Sequence, residues 1–204
     1  MGNSAIIKAK DNDNKGVYLH WNGGRDSVEA FLKYCELKGF RSFNDDYGIA
    51  RFCQVVGNFF GADGLSLGIV DNPLNLGADN GIYIVDGWEI VGREDFAGRE
   101  QQEYDLQGML IAIDEAQPKK QQLGEYLTAK EVPTNTLKVG NTVILKDYKG
   151  EVIKHKVVGF GSDRFVNGIK VLNIPYIDLY GRYGDYTNNP NNYLTDEFVR
   201  IINQ

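Results

Sequence analysis

The sequence predicts an α+β fold, with a small antiparallel or mixed sheet and three amphipathic helices over residues 1–128 and a small SH3-like all-β barrel over 129–204. Three observations carry the prediction. Apolar residues recur at helical spacing in three segments of the first part. Glycine- and asparagine-rich turns separate short apolar runs around those helices. Beyond residue 136 every signal is that of a short strand, at the spacing of a small barrel.

Taken in order, Ser4–Lys10 reads as a first strand and Val17–Trp21 as a second, joined as an antiparallel hairpin by the polar cluster from Asp11 to Gly16. Asn22-Gly23-Gly24 breaks the second strand. Asp26 and Glu29 have the spacing of a helix N-cap and its N3 partner. Val28, Phe31, Leu32 and Cys35 then fall on one helical face, and Gly39 follows as the C′ residue. A second helix follows Asn44, with Ile49, Phe52, Cys53, Val56, Phe59 and Phe60 on one face and Gly61 at its end. Leu65–Val70 is a strand candidate leading into a loop, 71–80, rich in Asn, Asp and Gly. Ile82–Val85 and Trp88–Val91 flank Asp86-Gly87, the dipeptide of a type I′ hairpin turn. Leu106, Met109, Leu110 and Ile113 mark a third helix from about Tyr104 to Glu115, stopped by Pro118. Thr128 to Thr136 reads as a polar connector. The strands beyond it are Thr142–Leu145, Val152–Val158, a hairpin of Phe165-Val166 and Ile169–Leu172 around Asn167-Gly168, and Phe198–Ile202.

Composition removes several function classes. With 42% hydrophobic and 25% charged residues the chain is not a disordered one. No apolar run approaches the roughly eighteen residues of a membrane span. The N-terminal stretch has no apolar region of the secretory kind, and Ile6 stands where a myristoylation motif wants Ser or Thr. A net charge of −6 argues against coating duplex nucleic acid. Two cysteines and two histidines cannot close a zinc site by themselves. The oxygen-rich loop 71–80 lacks the EF-hand spacing and its terminal Glu. No metal or cofactor is expected. Cys35 and Cys53 sit in apolar helical stripes, as free thiols of a reducing cytoplasm do. Glu94, Asp95 and Glu100 beside Arg93 and Arg99 look like a solvated face of mixed charge.

The segment from His20 to Ser27 is the one local pattern with chemistry. Strand, glycine turn and helix start follow one another, and the unpaired amides of a first helical turn attract anions. Asn22, Gly23 and Gly24 would let a ligand approach the backbone, Arg25 would add a fork of donors, and Ser27 a hydroxyl. His20, beside Trp21 in the strand, would be the nearby acid or base. The same residues also serve without a ligand, Gly23-Gly24 as a tight turn and Asp26 as a cap.

Asn22-Gly23-Gly24-Arg25-Asp26-Ser27 resembles the PP-loop of N-type ATP pyrophosphatases, whose pattern is Ser-Gly-Gly-x-Asp-Ser, with Asn22 in place of the first serine. The resemblance covers six residues. It implies ATP binding and substrate adenylation, with Gly23, Gly24 and Ser27 around the pyrophosphate and Asp26 beside it.

A second pattern lies near the C-terminus. Tyr180, Tyr183, Tyr186 and Tyr193 are interleaved with glycine and asparagine, the chemistry of adaptable recognition loops. The expectation is therefore a non-enzymatic cytoplasmic accessory or regulatory protein. It would bind a partner protein through those tyrosines or a small anionic ligand at His20–Ser27. The alternative is a nucleotide-binding enzyme using Asn22–Ser27.

Overall fold

The computed structural model describes residues 2–61, 66–73, 77–100, 102–146, 151–161, 164–166, 169–171, 174–177, 194 and 198–203. Backbone contacts divide the chain into two compact units, Met1–Gln122 and Leu123–Gln204. Helices and sheets coexist, so the fold is α+β.

In the first unit β1 (Ala5–Ala9) and β2 (Lys15–Leu19) form the expected hairpin, Ile6 opposite Tyr18. β3 (Leu67–Asp71) pairs antiparallel with β2. β4 (Ile82–Asp86) runs parallel to β1 and antiparallel to β5 (Glu89–Glu94). The sheet is therefore mixed, in the order β3-β2-β1-β4-β5. Strand alternation puts Ile7, Val17, Leu19, Tyr83 and Val85 on one face, and all five are buried. The three helices are α1 (Arg25–Leu37), α2 (Asp46–Phe60) and α3 (Leu106–Glu115). Phe31 of α1 meets Phe52 and Phe59 of α2 edge-on, at centroid distances of 6.3 and 5.2 Å. Burying one such side chain contributes about 1.5–3 kcal/mol. The apolar stripe expected on α1 is wholly buried. On α3, Met109, Leu110 and Ile113 are buried as expected, but Leu106 is left exposed.

Polar contacts also cross this unit. The buried Tyr34 hydroxyl donates to Asp114 at 2.6 Å, tying α1 to α3. Burial, then the Asp114 carboxylate, pushes the Tyr34 phenol far up. On the other sheet face Lys8, only 4% exposed, reaches Asp13 at 2.6 Å and Glu94 at 3.2 Å. Its hydrogen bond to Asp13 is the main reason its amine is pushed up. Glu94 and Arg93 are thus not a solvated face. Arg93 lies between the rings of Tyr83 and Phe96 and donates to the Asn80 carbonyl at 2.8 Å.

Gly39 and Gly61 end α1 and α2 as expected, while the N-cap of α2 and the turn of the second hairpin each lie one residue from the expected position. At Gly39, φ is +69°, and the Gly39 and Phe40 amides donate to the Glu36 and Cys35 carbonyls, which completes a Schellman motif. The cap of α2 is Asp45, whose side chain accepts from the Tyr47 amide at 2.8 Å. Asn44 instead accepts from the Gly87 amide at 2.8 Å and donates to Asp86. Asp86 pairs across the hairpin with Glu89, so the central turn residues are Gly87-Trp88. Among the non-strand residues of that turn only Gly87 has positive φ, the pattern of type II′ and not type I′. The contacts to Lys10 and Asn44 hold Asp86 in the strand.

The second unit carries β6 (Lys130–Pro133), β7 (Thr142–Lys146), β8 (Val152–Gly161), β11 (Ile174–Ile177) and β12 (Phe198–Asn203), with β9 (Arg164–Val166) and β10 (Ile169–Val171) as a separate hairpin. Its five-stranded antiparallel sheet runs β11-β8-β7-β12-β6. Val132, Leu137, Val143, Val157, Leu194, Val199 and Ile201 form its core. The SH3-like barrel expected here is corrected to an open sheet among the described residues, because the edge strands β11 and β6 do not pair with each other. The segment read as a connector supplies β6. That strand hides in the sequence because only Val132 of its four residues is buried, and Pro133 removes a ladder donor at its end.

Candidate functional site

The glycine turn after β2 is built from backbone pairing. The His20 amide donates to Ser66, and the His20 ring meets the Tyr18 hydroxyl at 3.2 Å and Trp21 edge-on at 4.8 Å. His20 thus turns to Tyr18. Asn22 takes a left-handed φ of +54°, a region that asparagine tolerates. The Gly23 amide donates to Asn3 at 2.8 Å, and the Gly23 carbonyl accepts from the buried Tyr83 hydroxyl at 3.1 Å. A Cβ on Gly23 would lie 2.6 Å from both the Ala5 nitrogen and the Ser4 carbonyl carbon. This glycine is required by the approach of β1.

The capping box does not form. Gly24 is the N-cap of α1 and offers no side-chain acceptor, while Glu29 accepts from Arg25 at 2.7 Å. Asp26 lies inside the helix. One of its oxygens accepts from the Ser27 amide at 2.7 Å, and the other from the Glu103 and Tyr104 amides at 2.7 and 2.9 Å. Asn22 reaches the buried Ser27 hydroxyl at 3.5 Å. The turn therefore brings Asn22, Asp26 and Ser27 together, and a carboxylate of the chain itself stands at the helix N-terminus, where the dipole favours negative charge. Asp26→Ala is expected to cost about 2 kcal/mol, from two charge-assisted bonds in a partly exposed place. Urea unfolding with amide exchange checks this: the Glu103 and Tyr104 amides should lose protection first. Unchanged exchange at both would remove the clamp.

A concave site lies elsewhere, between α2 and the β2–β3 edge of the sheet. The cleft encloses about 640 Å³, within the range of ligand pockets. Ile7, Val17, Leu67 and Ile69 line it from the sheet, and Ile49, Ala50 and Cys53 from α2. Lys15 and Asp46 supply one charge of each sign. Helical spacing places Asp46, Ile49, Ala50 and Cys53 on one side of α2, and strand spacing places Leu67 and Ile69 on one side of β3. Burial pushes the Cys53 thiol up to about 11, so it is neutral and unreactive near pH 7. Cys35 is fully buried and pushed up further, first by burial and then by Cys53. Neither thiol is an activated nucleophile. The sequence showed each wall of this cleft but not the gap between them.

Tyr180, Tyr183, Tyr186 and Tyr193 lie outside the described residues. Among the described residues no group of three or more His, Cys, Asp or Glu side chains could hold a metal ion, and no helix is long and apolar enough to cross a membrane. No protein-family model, curated protein or solved structure matches the chain.

Proposed function

We propose that this chain is a non-enzymatic accessory protein that binds a partner in the apolar cleft between α2 and β3, in a reducing cytoplasm that suits its two free thiols. The cleft carries the reading: a concave, mainly apolar site with few polar groups is the usual form of a binding site. The one thiol in its lining, Cys53, is held protonated by burial and acts there as an apolar side chain. The small-anion and nucleotide readings at Asn22–Ser27 are weaker, because the Asp26 carboxylate already occupies the Ser27 amide of the first helical turn and is anchored by the Glu103 and Tyr104 amides.

The test is occupancy by an apolar probe. Anilinonaphthalene sulfonate should bind the folded protein at one site, with its fluorescence rising on binding. Ala50→Trp should abolish that rise by filling the cleft from the exposed side of α2, while the urea midpoint stays put. A native protein that leaves the dye dark, or a variant that binds it as well as the parent, would overturn the reading.

A further inference from the structure

Resting on that reading, we propose that the occupant of the cleft is an extended segment of a partner protein, which adds to the free edge of β3 as a sixth strand. The register of β2 and β3 decides which backbone groups are available. The His20 amide donates to the Ser66 carbonyl and the Asn72 amide to the Asn14 carbonyl. Tyr18 lies opposite Gly68 and Gly16 opposite Val70. In an antiparallel ladder hydrogen-bonded pairs alternate with non-bonded ones, so the even-numbered residues of β3 bond to β2. Leu67, Ile69 and Asp71 therefore point their amides and carbonyls outward. Among the described residues β3 pairs with β2 alone.

The side chains follow the same parity. Leu67 and Ile69, whose backbones face the free edge, are also the β3 residues whose side chains line the cleft, with only glycine, Gly68, between them, and Ile69 is 60% exposed. A strand laid along this edge would send every second side chain into the space between β3 and α2. Main-chain bonds would supply affinity and the alternate side chains specificity, as in strand addition generally. Simple pairing of β3 with β3 of a second copy would satisfy the backbone but only roof the cleft.

Charge defines one end of the segment. Asp71 ends β3, Asp46 begins α2, and neither has an ion-pair partner among the described residues. Asp46 lines the cleft with Lys15, and Lys15 lies opposite Asp71 on β2, so the end of the cleft marked by Lys15 carries two carboxylates to one amine. The fitting occupant is apolar at alternate positions and carries a lysine or arginine at the end beside Asp46 and Asp71.

The experiment selects a displayed library of random decapeptides on the intact protein, with counter-selection on Ala50→Trp. Enriched peptides should show apolar residues with a period of two and a basic residue near one end. In the free protein the Leu67, Ile69 and Asp71 amides should exchange fast and those of Gly68 and Val70 slowly. A bound synthetic peptide should slow the first three at least tenfold. Ile69→Pro removes an outward amide without touching the ladder to β2, and it should weaken binding at least tenfold. Ile69→Lys, an edge-blocking charge that leaves the backbone intact, should do the same if the proline variant fails to fold. The proposal falls if no peptide is enriched, if the enriched peptides have helical spacing, or if the three amides stay unprotected in the complex. It falls equally if they are already protected in a dimeric free protein. Dye binding that Ala50→Trp removes would, in any of those cases, leave the cleft standing as a binding site.

Discussion

Gly23→Ala is expected to lower the thermal midpoint by roughly 10 °C in the absence of any ligand. The glycine sits against β1 so closely that a methyl group would meet the Ala5 nitrogen at 2.6 Å and the Ala5 side chain at 2.7 Å. Those neighbours belong to the central hairpin of the sheet, which cannot shift without moving β2 and β4. Overpacking against backbone costs about 3 kcal/mol, and for a chain of this length each kcal/mol is about 2–4 °C. The same shift would strain the Gly23 contacts to Asn3 and Tyr83. Differential scanning calorimetry of parent and variant decides the matter. A ligand-approach glycine would give an unchanged midpoint in the free protein, and a shift under about 2 °C would refute the packing account.

Alkali is expected to unfold the first unit well before it affects an average protein. Tyr34, Tyr83 and Cys35 are buried, and burial pushes all three acids up, with Asp114 adding to the effect on Tyr34. Each therefore keeps its proton in the folded chain at pH values where the unfolded chain has lost it. The unfolded state then binds fewer protons, so stability falls as pH rises. The contribution is intact below about pH 8 and shrinks from about pH 9 for the thiol and about pH 10 for the phenols. Each group removes about 1.4 kcal/mol per pH unit once past its unfolded value, and the three together roughly 5–6 kcal/mol by pH 11. Lys8, also pushed up, works in the same direction. Urea midpoints between pH 8 and 11 measure the slope. Tyr83→Phe should flatten it above pH 10 by the share of one group, and equal slopes in parent and variant would rule Tyr83 out as a source.

The glycine turn illustrates what local pattern can and cannot say. Gly23-Gly24-x-Asp-Ser marks a strand-to-helix turn whether or not a phosphate sits in it, because both uses need backbone at close range. What separates them is where the Asp26 carboxylate goes, and its partners Glu103 and Tyr104 lie 77 and 78 residues away. No spacing rule reaches that far. The Asp86-Gly87 hairpin shows the same limit on a smaller scale, since Asp86 pairs with Glu89 in the strands and contacts the distant Lys10 and Asn44, leaving Gly87-Trp88 as the turn.

The sequence by itself determined the α+β class, the three helices with the buried stripe of α1, and the first hairpin. These rest on hydrophobic periodicity and on glycine and proline punctuation, which are properties of neighbouring residues. Only the tertiary structure decided that β1 pairs parallel with β4, that the last strands form an open sheet among the described residues, and that Lys8 and Arg93 are engaged within the first unit. It alone set the gap between α2 and β3 that makes a cleft. Local pattern selects which face of an element is apolar. How far apart two apolar faces come to rest depends on every side chain packed between them.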